Sequence, residues 1–456
     1  MDGILVLIIY AIIMIAATLL FARRKNQVED FHVGNRNMGT VSSAMSIAAT
    51  WIWAPALFVS AEQAYKNGFA GLFWFLVPNI LCLILFVPFA KKIRNEMPKG
   101  VTLSGYMGAK YNSKVVKRVY DLQLGSLAVL STAVQLLAGG RILSNVTGIT
   151  FWKLTIMLAA IALSYSVISG IRASIMTDSI QMVFLLLACV IFVPWALRDG
   201  GVQDLLLGFS GASGEYGSLI STKGIEVALS FGIPTAIGLV SGPFGDQCFW
   251  QRAFSIKKDK IGKSFMIGAA LFGSVPLSMG MLGFIAAGSG FIPTDTGTVN
   301  LELVTHLFPA WVAIPFLLML VSGLLSTVDS NLCAVASLTT DFGATGIKAP
   351  RMAMVALLAA GICIANIPGL TVTHMFLIYG TLRATTLLPT VLTLLQKRLA
   401  GKGVVGGVLT ALLVGLPIFA YGTINSLSAY KTIGSLFTVL SAGIVAVVVS
   451  RMEGRA

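Results

Sequence analysis

The chain has 456 residues, of which 56% are hydrophobic and only 11% charged, and its mean hydropathy is +0.87. A soluble domain averages about 25% charged residues, so this composition excludes a water-soluble enzyme or binding domain and leaves one polytopic membrane domain. The formal charge of +14 would suit nucleic acid or acidic lipid only if the basic residues shared a soluble face, and they lie instead between apolar segments.

Thirteen hydrophobic segments are predicted. The leading one, 3–21, begins Met1-Asp2-Gly3 without a basic stretch or a small-residue cleavage pattern, which reads as a retained helix and not a cleaved signal. Ten follow at about 38–62, 68–90, 122–142, 151–170, 174–197, 224–249, 261–287, 310–340, 349–367 and 371–395. Two more trail at 403–421 and 431–450. Assigning alternate loops to one side gathers most of the 32 basic residues there: Arg23, Arg24, Lys25, Arg36, the run from Lys91 to Arg118, Arg172, Arg252, those of 257–263 and 348–351, Lys397, Arg398, Lys402, Arg451 and Arg455. The positive-inside rule makes that side cytoplasmic, with the N-terminus outside and the C-terminus inside. The charge is thus topological, and nucleic acid is not an expected partner. Between segments, Thr102–Tyr111 is expected as an interfacial helix with Tyr106, Met107 and Tyr111 toward lipid. Residues 300–307 read as a short helix, either an ordinary loop helix or a lid. Arg141, near an outer helix end, reads as an interfacial snorkel. The five cysteines form no CxxC pair and read as packing, not disulfides or metal ligands.

Two segments carry breaks. Ser46–Ala56 has Pro55 inside an apolar run, which removes a backbone donor and frees a carbonyl one turn back, near Trp51 and beside Ala49 and Ile52. Residues 230–247 carry Pro234, Pro243 and several glycines. Irregular backbone at membrane depth is tolerated only where protein or water satisfies it. Counted after the leading helix, these are the first and sixth segments. A pair of interrupted segments five apart points to a five-plus-five inverted-repeat transporter with a midplane site. The expected units are a leading helix (3–21), a first repeat (38–197), a second repeat (224–395) and two trailing helices (403–450).

The segment 317–341 is apolar at both flanks and polar at its centre. Ser322, Ser326, Asp329 and Ser330 recur at helical spacing as one polar stripe beside Gly323 and Thr327. Hydroxyls, a carboxylate and small residues are the oxygen-rich surroundings a hard cation prefers, and they equally glue helices together. Asp178 is a second buried carboxylate, either solvated near its helix start, paired with Arg172, or a cation ligand. Arg383 sits midway along its segment. An arginine there is a functional candidate, as counter-ion to Asp329 or Asp178 or as a bidentate holder of a substrate carboxylate.

Together these residues resemble the sodium:solute symporter family. Asp30-Phe31-His32-Val33-Gly34-Asn35-Arg36-Asn37-Met38 is similar to its DF-x-GGR-x sequence, with Asn35 in place of a glycine. Asp246-Gln247-Cys248-Phe249-Trp250-Gln251-Arg252 is similar to its DQ-x-x-x-QR motif, and Ser326-Thr327-Val328-Asp329-Ser330 to its long eighth core helix. The resemblance implies an all-α, leucine-transporter-like inverted repeat. It implies a main sodium site from carbonyls of Ala49, Ile52 and Gly323 with hydroxyls of Ser326 and Thr327. A second cation or proton site would use Asp178, Asp329 and Ser330 together with Ser326; Asp329 stands where a serine is often found. Gly242-Pro243 replaces the aromatic pair that gates sugar transporters, which argues against sugar. Trp51-Ile52-Trp53-Ala54 and Phe249-Trp250-Gln251-Arg252-Ala253 look most like the urea and polyamine branch. Trp51, Trp53, Gln247 and Arg383 are the candidates for the solute or its gate. The expectation is a secondary active transporter, not an enzyme, with no cofactor and with sodium as coupling ion. It would take up a small polar solute that is urea-like, an amine or amino-acid-like across the cell membrane. A proton-coupled symporter, a passive channel and a transporter-like sensor are the alternatives.

Overall fold

The computed structural model describes residues 3–21, 28–198, 200–396 and 398–454. Arg23, Arg24, Lys25, Lys397 and Arg455 of the topology reading, with Met1 and Asp2, lie outside the described residues. Among the described residues every regular element is helical, apart from one bridge pairing Met38 with Ile256.

Helix α1 (Gly3–Phe21) turns Tyr10 and Met14 inward and leaves Ile8, Ile12 and Leu20 exposed, an apolar surface suited to lipid. Helix α2 (Thr40–Trp51) ends because Pro55 lacks the N–H that would continue it, and Ile52 and Trp53 leave helical geometry before a short helix, Ala54–Leu57, resumes. Helix α3 (Val59–Glu96) then runs through a kink at Asn67 and Gly68. Gly68 has φ +53 and ψ −146, and a Cβ there would lie 2.7 Å from the backbone of Phe209 and Gly211, so only glycine fits. The kink joins the outer half of the first core segment to the second without a loop.

Helix α4 (Leu103–Lys110) is capped by the Thr102 hydroxyl, which accepts the Gly105 N–H. Its orientation corrects the sequence expectation: Tyr106 and Met107 are buried, and the Tyr106 hydroxyl donates to Glu96 at 2.6 Å, so this helix packs under the bundle instead of facing lipid with those side chains. Helices α5 (Lys114–Thr147), α6 (Phe151–Ser169) and α7 (Ile171–Ala196) complete the first half.

In the second half a π turn at Ala228–Gly232 leads into α8 (Ile233–Val240), followed by Gly242–Gly245 and α9 (Gln247–Ser255). Pro234 follows directly on the π turn, whose widened backbone takes up its missing N–H, and Pro243 opens the short Gly242–Gly245 turn, so the break falls at Asp246, which is extended at φ −121, ψ 118. Then come α10 (Ile261–Gly288), α11 (Val299–Leu307), α12 (Ala313–Leu338), α13 (Lys348–Ala365) and α14 (Val372–Ala384), the last resuming as Leu387–Leu394. The trailing α15 (Gly401–Thr410), α16 (Leu416–Ile424) and α17 (Ser428–Met452) pack tightly because small residues face each other. A Cβ at Gly403 would meet the Ala446 carbonyl at 2.5 Å.

Eleven helices among the described residues are long and apolar enough to cross a bilayer, where hydropathy counts thirteen segments. The difference lies in α1, whose qualifying stretch is the shorter Leu7–Leu20, and in the first core segment, which the break at Ile52–Trp53 divides. Helix α12 sits at the centre, with nearly every side chain from Phe316 to Leu338 buried.

Candidate ion and solute site

The break after α2 frees backbone groups, and α12 and α5 answer them. The Ser326 hydroxyl donates to the Ala49 carbonyl at 2.8 Å and the Thr327 hydroxyl to the Thr50 carbonyl at 3.2 Å. The Ala54 N–H donates to Gln135 Oε1 at 2.8 Å. The Ile52 carbonyl faces Gly323, where a Cβ would come within 3.3 Å of it. The five residues expected at the main sodium site therefore meet in one buried spot, oxygens foremost.

One turn further along α12 lies a charged cluster with no access to solvent. Asp178 of α7 and Arg252 of α9 form an ion pair at 2.9 Å, both 0% exposed. The Ser46 hydroxyl donates to Asp178 at 2.5 Å, and Arg252 Nη2 donates to Ser330 Oγ at 2.7 Å. Asp329 stands apart from the arginine: it accepts from Ser174 at 2.7 Å and Thr177 at 3.2 Å. Asp178 thus pairs with Arg252, whereas Arg172 lies 3.4 Å from Asp30. Arg252, counted from sequence among loop residues, is fully buried.

Arg383 pairs with neither Asp178 nor Asp329, as the sequence reading had allowed, but with Asp246 at 3.0 Å. The Tyr379 hydroxyl also donates to Asp246, at 3.0 Å, and Arg383 Nη2 contacts that hydroxyl. The guanidinium lies 3.8 Å from the Tyr379 ring, 4.6 Å from Trp51 and 5.2 Å from Trp53, a three-sided aromatic box. Three buried donors there, Arg383 Nε and Nη1 and Trp53 Nε1, find no partner among the described residues. Trp51 is held by the Asn79 carbonyl, and its ring packs so closely on Gly242 that a Cβ at that position would overlap it. Trp51, Trp53 and Arg383 are brought together; Gln247 is not. Its amide bonds Val101 and Ser337 and accepts the Leu103 N–H, which places it in a latch at the end of the bundle rich in Lys and Arg.

Asp246, Tyr379, Ser46, Ser174 and Thr177 were not singled out from the sequence. The signal that could have found Asp246 and Arg252 is their charge within an apolar run, the argument already applied to Arg383.

The two ends of the bundle differ. At the basic end Asp341 accepts from Thr102 at 2.6 Å and Ser104 at 2.7 Å and pairs with Lys117 at 3.0 Å, while Arg36 donates to the Gly100 and Lys99 carbonyls. At the other end a cavity of about 440 Å³ is lined by Phe58, Glu62, Lys66, Arg141 and Thr371–His374. Arg141 does not snorkel freely: it donates to the Leu370 carbonyl at 2.6 Å in the cavity wall.

Residues 31–415 match the sequence model of the sodium:solute symporter family. The urea-proton symporter DUR3 of Oryza sativa is 22% identical over 91% of this chain and 65% of its own length. The urea active transporter of Saccharomyces cerevisiae is 24% identical over 85% of this chain and 58% of its own length. The chain thus spans less than two thirds of either. The sodium/pantothenate symporter of Escherichia coli is 26% identical over 92% of both chains. In fold the chain is similar to a Na+-coupled sialic acid symporter in a substrate-bound outward-open state, with TM-score 0.76, 16% identity and 97% of both chains covered. A nucleobase-cation symporter, Mhp1, aligns at TM-score 0.60 and 15% identity, over 92% of this chain and 95% of its own. The architecture is accordingly the five-plus-five inverted repeat, all-α and multi-pass.

Proposed function

Because the chain belongs to the sodium:solute symporter family, a family of transporters and not enzymes, we propose that it couples inward sodium movement to uptake of a small, neutral, carbonyl-bearing solute such as urea or another amide. The observation that carries the ion half is the junction of the broken α2 with α12, where Ser326 and Thr327 meet freed carbonyls. Sodium there would tie the two elements and favour the form open at the cavity. Opening at the basic end would loosen the tie and release the ion. Each charge crossing 100 mV supplies roughly 2.3 kcal/mol.

The solute half rests on the aromatic box. Its three donors without a partner among the described residues suit a carbonyl oxygen, and Asp246 already balances the charge of Arg383, which favours a neutral solute over an anion. The relatives named for urea support the same class. The surplus of Lys and Arg at the latched end supports a cytoplasmic placement for it, with the C-terminus inside and the N-terminus outside the cell membrane.

The test is thermal stability of the purified chain in sodium against potassium at equal ionic strength. A sodium-specific rise in Tm that Ser326→Ala loses is expected, since a ligand that binds only the folded state stabilises it. Urea, acetamide and pantothenate are then added, and the first two should stabilise further only with sodium. Equal behaviour in sodium and potassium would sink the sodium reading. A second reading has one observation behind it: Asp329 is fully buried, and none of its hydrogen-bond partners is a cation. A proton carried there would give uptake that rises as external pH falls, ignores sodium and disappears in Asp329→Asn.

A further inference from the structure

We propose that the Arg252 guanidinium is a built-in cation occupying the place that a second sodium would take between α7 and α12. This rests on the ion-coupled reading above. Three buried oxygens, two of them from the residues expected at a second ion site, already converge on one side chain: Arg252 Nε donates to Ser46 Oγ at 3.0 Å, and Nη2 donates to Asp178 Oδ2 at 2.9 Å and Ser330 Oγ at 2.7 Å. The remaining nitrogen, Nη1, donates to the Cys248 carbonyl of its own helix at 3.1 Å, so the fork is fixed at both ends.

What is left over does not make a cation site. Both oxygens of Asp329 accept hydroxyls from α7. The Ser330 hydroxyl is further engaged with Thr50 at 2.9 Å. Asp178 Oδ1 is the one buried acceptor of the cluster without a partner among the described residues. A hard cation needs several oxygens at close range, and a single carboxylate oxygen does not supply them. A guanidinium differs from sodium in two ways that matter for transport. It keeps its charge at every physiological pH, and it cannot leave. The charge of Asp178 is therefore neutralised in every stage of the cycle, and the α7–α12 junction carries no ion to either side. Only the Ser326 site remains to bind one.

The experiment counts sodium-22 bound per molecule of the purified 456-residue chain at saturation. The wild type is expected to bind one equivalent. Arg252→Gln should bind one more than the wild type, because Asp178, Ser46 and Ser330 regain free oxygens around an unbalanced charge. Arg252→Gln combined with Asp178→Asn should return to the wild-type count. Two equivalents in the wild type, or the same count in Arg252→Gln as in the wild type, overturns the proposal. A wild type that binds no sodium would sink sodium coupling, yet Arg252→Gln must still gain one equivalent if the guanidinium holds that place. Should Arg252→Gln not be recovered folded, Asp178→Asn alone decides. It is expected to keep the wild-type count, and loss of an equivalent overturns the assignment.

Discussion

At the scale of single residues, the interior holds two ion pairs of different design. Asp178–Arg252 is sealed on all sides, whereas Arg383–Asp246 leaves two guanidinium donors unused. Removing one partner of a buried pair strands the other, at a cost of about 3–5 kcal/mol. Arg383→Ala is therefore expected to lower stability by about that amount and to abolish uptake, and denaturant titration with an uptake assay checks both. Gly242 offers a gentler probe. A methyl at that position meets the Trp51 ring, so Gly242→Ala should tilt the indole off Arg383 and weaken solute-dependent stabilisation severalfold while the sodium-dependent shift at Ser326 persists. Part of this candidate site was legible in the sequence, because an apolar context makes charges and hydroxyls conspicuous; Ser326, Thr327 and Arg383 stand out for that reason, whereas Trp51 and Trp53 entered through the family resemblance. Pairing was not legible. Arg383 finds Asp246 because the chain unwinds there, and nothing in spacing tells whether a lone arginine meets Asp178, Asp246 or Asp329.

At the scale of elements, α9 repays a close look. Asp246 caps it and holds Arg383, Gln247 grips α4, Gln251 donates to the His32 and Cys333 carbonyls, and Arg252 reaches Asp178. Four polar side chains of one nine-residue helix and its cap thus engage four different parts of the bundle. On the proposed alternating-access reading, release of the latch around α4 would open the basic end. Lys117→Ala with Asp341→Asn removes its ion pair and weakens two hydroxyl bonds. Cys248 and Cys333, both buried behind it, should then react several-fold faster with a membrane-impermeant maleimide applied from that end, and mass spectrometry of the two peptides checks it. The break in α2 was legible from Pro55. The one before α9 falls inside the stretch 230–247 that the prolines and glycines mark, but at Asp246 and not at either proline, and the side chain of that extended residue caps the next helix.

At the scale of the whole molecule, one end is bolted and the other holds a cavity. His32, between α1 and α2, lies in the bolted end with both ring nitrogens unpartnered among the described residues. Burial holds its pKa down at about 4, against 6.5 in water. The folded chain favours the neutral ring, so the contribution is complete above about pH 6.5 and drains away as the pH falls toward 4. The loss is on the order of 3 kcal/mol. Thermal stability should decline across that window, and less steeply in His32→Phe. The overall architecture was legible because hydropathy and the placement of Lys and Arg survive any detail of packing; the direction of α4 was not, since amphipathic spacing alone does not say whether lipid or protein receives the apolar face.

The kink at Gly68 has a mechanical consequence. Because α3 carries the outer half of the first core segment straight into the second with no slack between them, the two form a bent crank pivoting where Phe209 and Gly211 press on Gly68. On the proposed sodium reading, an ion held at Ile52 would pull on the short arm, and the stroke would appear some forty residues later at Glu96, beside the hydroxyl of Tyr106 that anchors the latch helix. Ion capture and the bolt at the far face would then be two ends of one continuous helix.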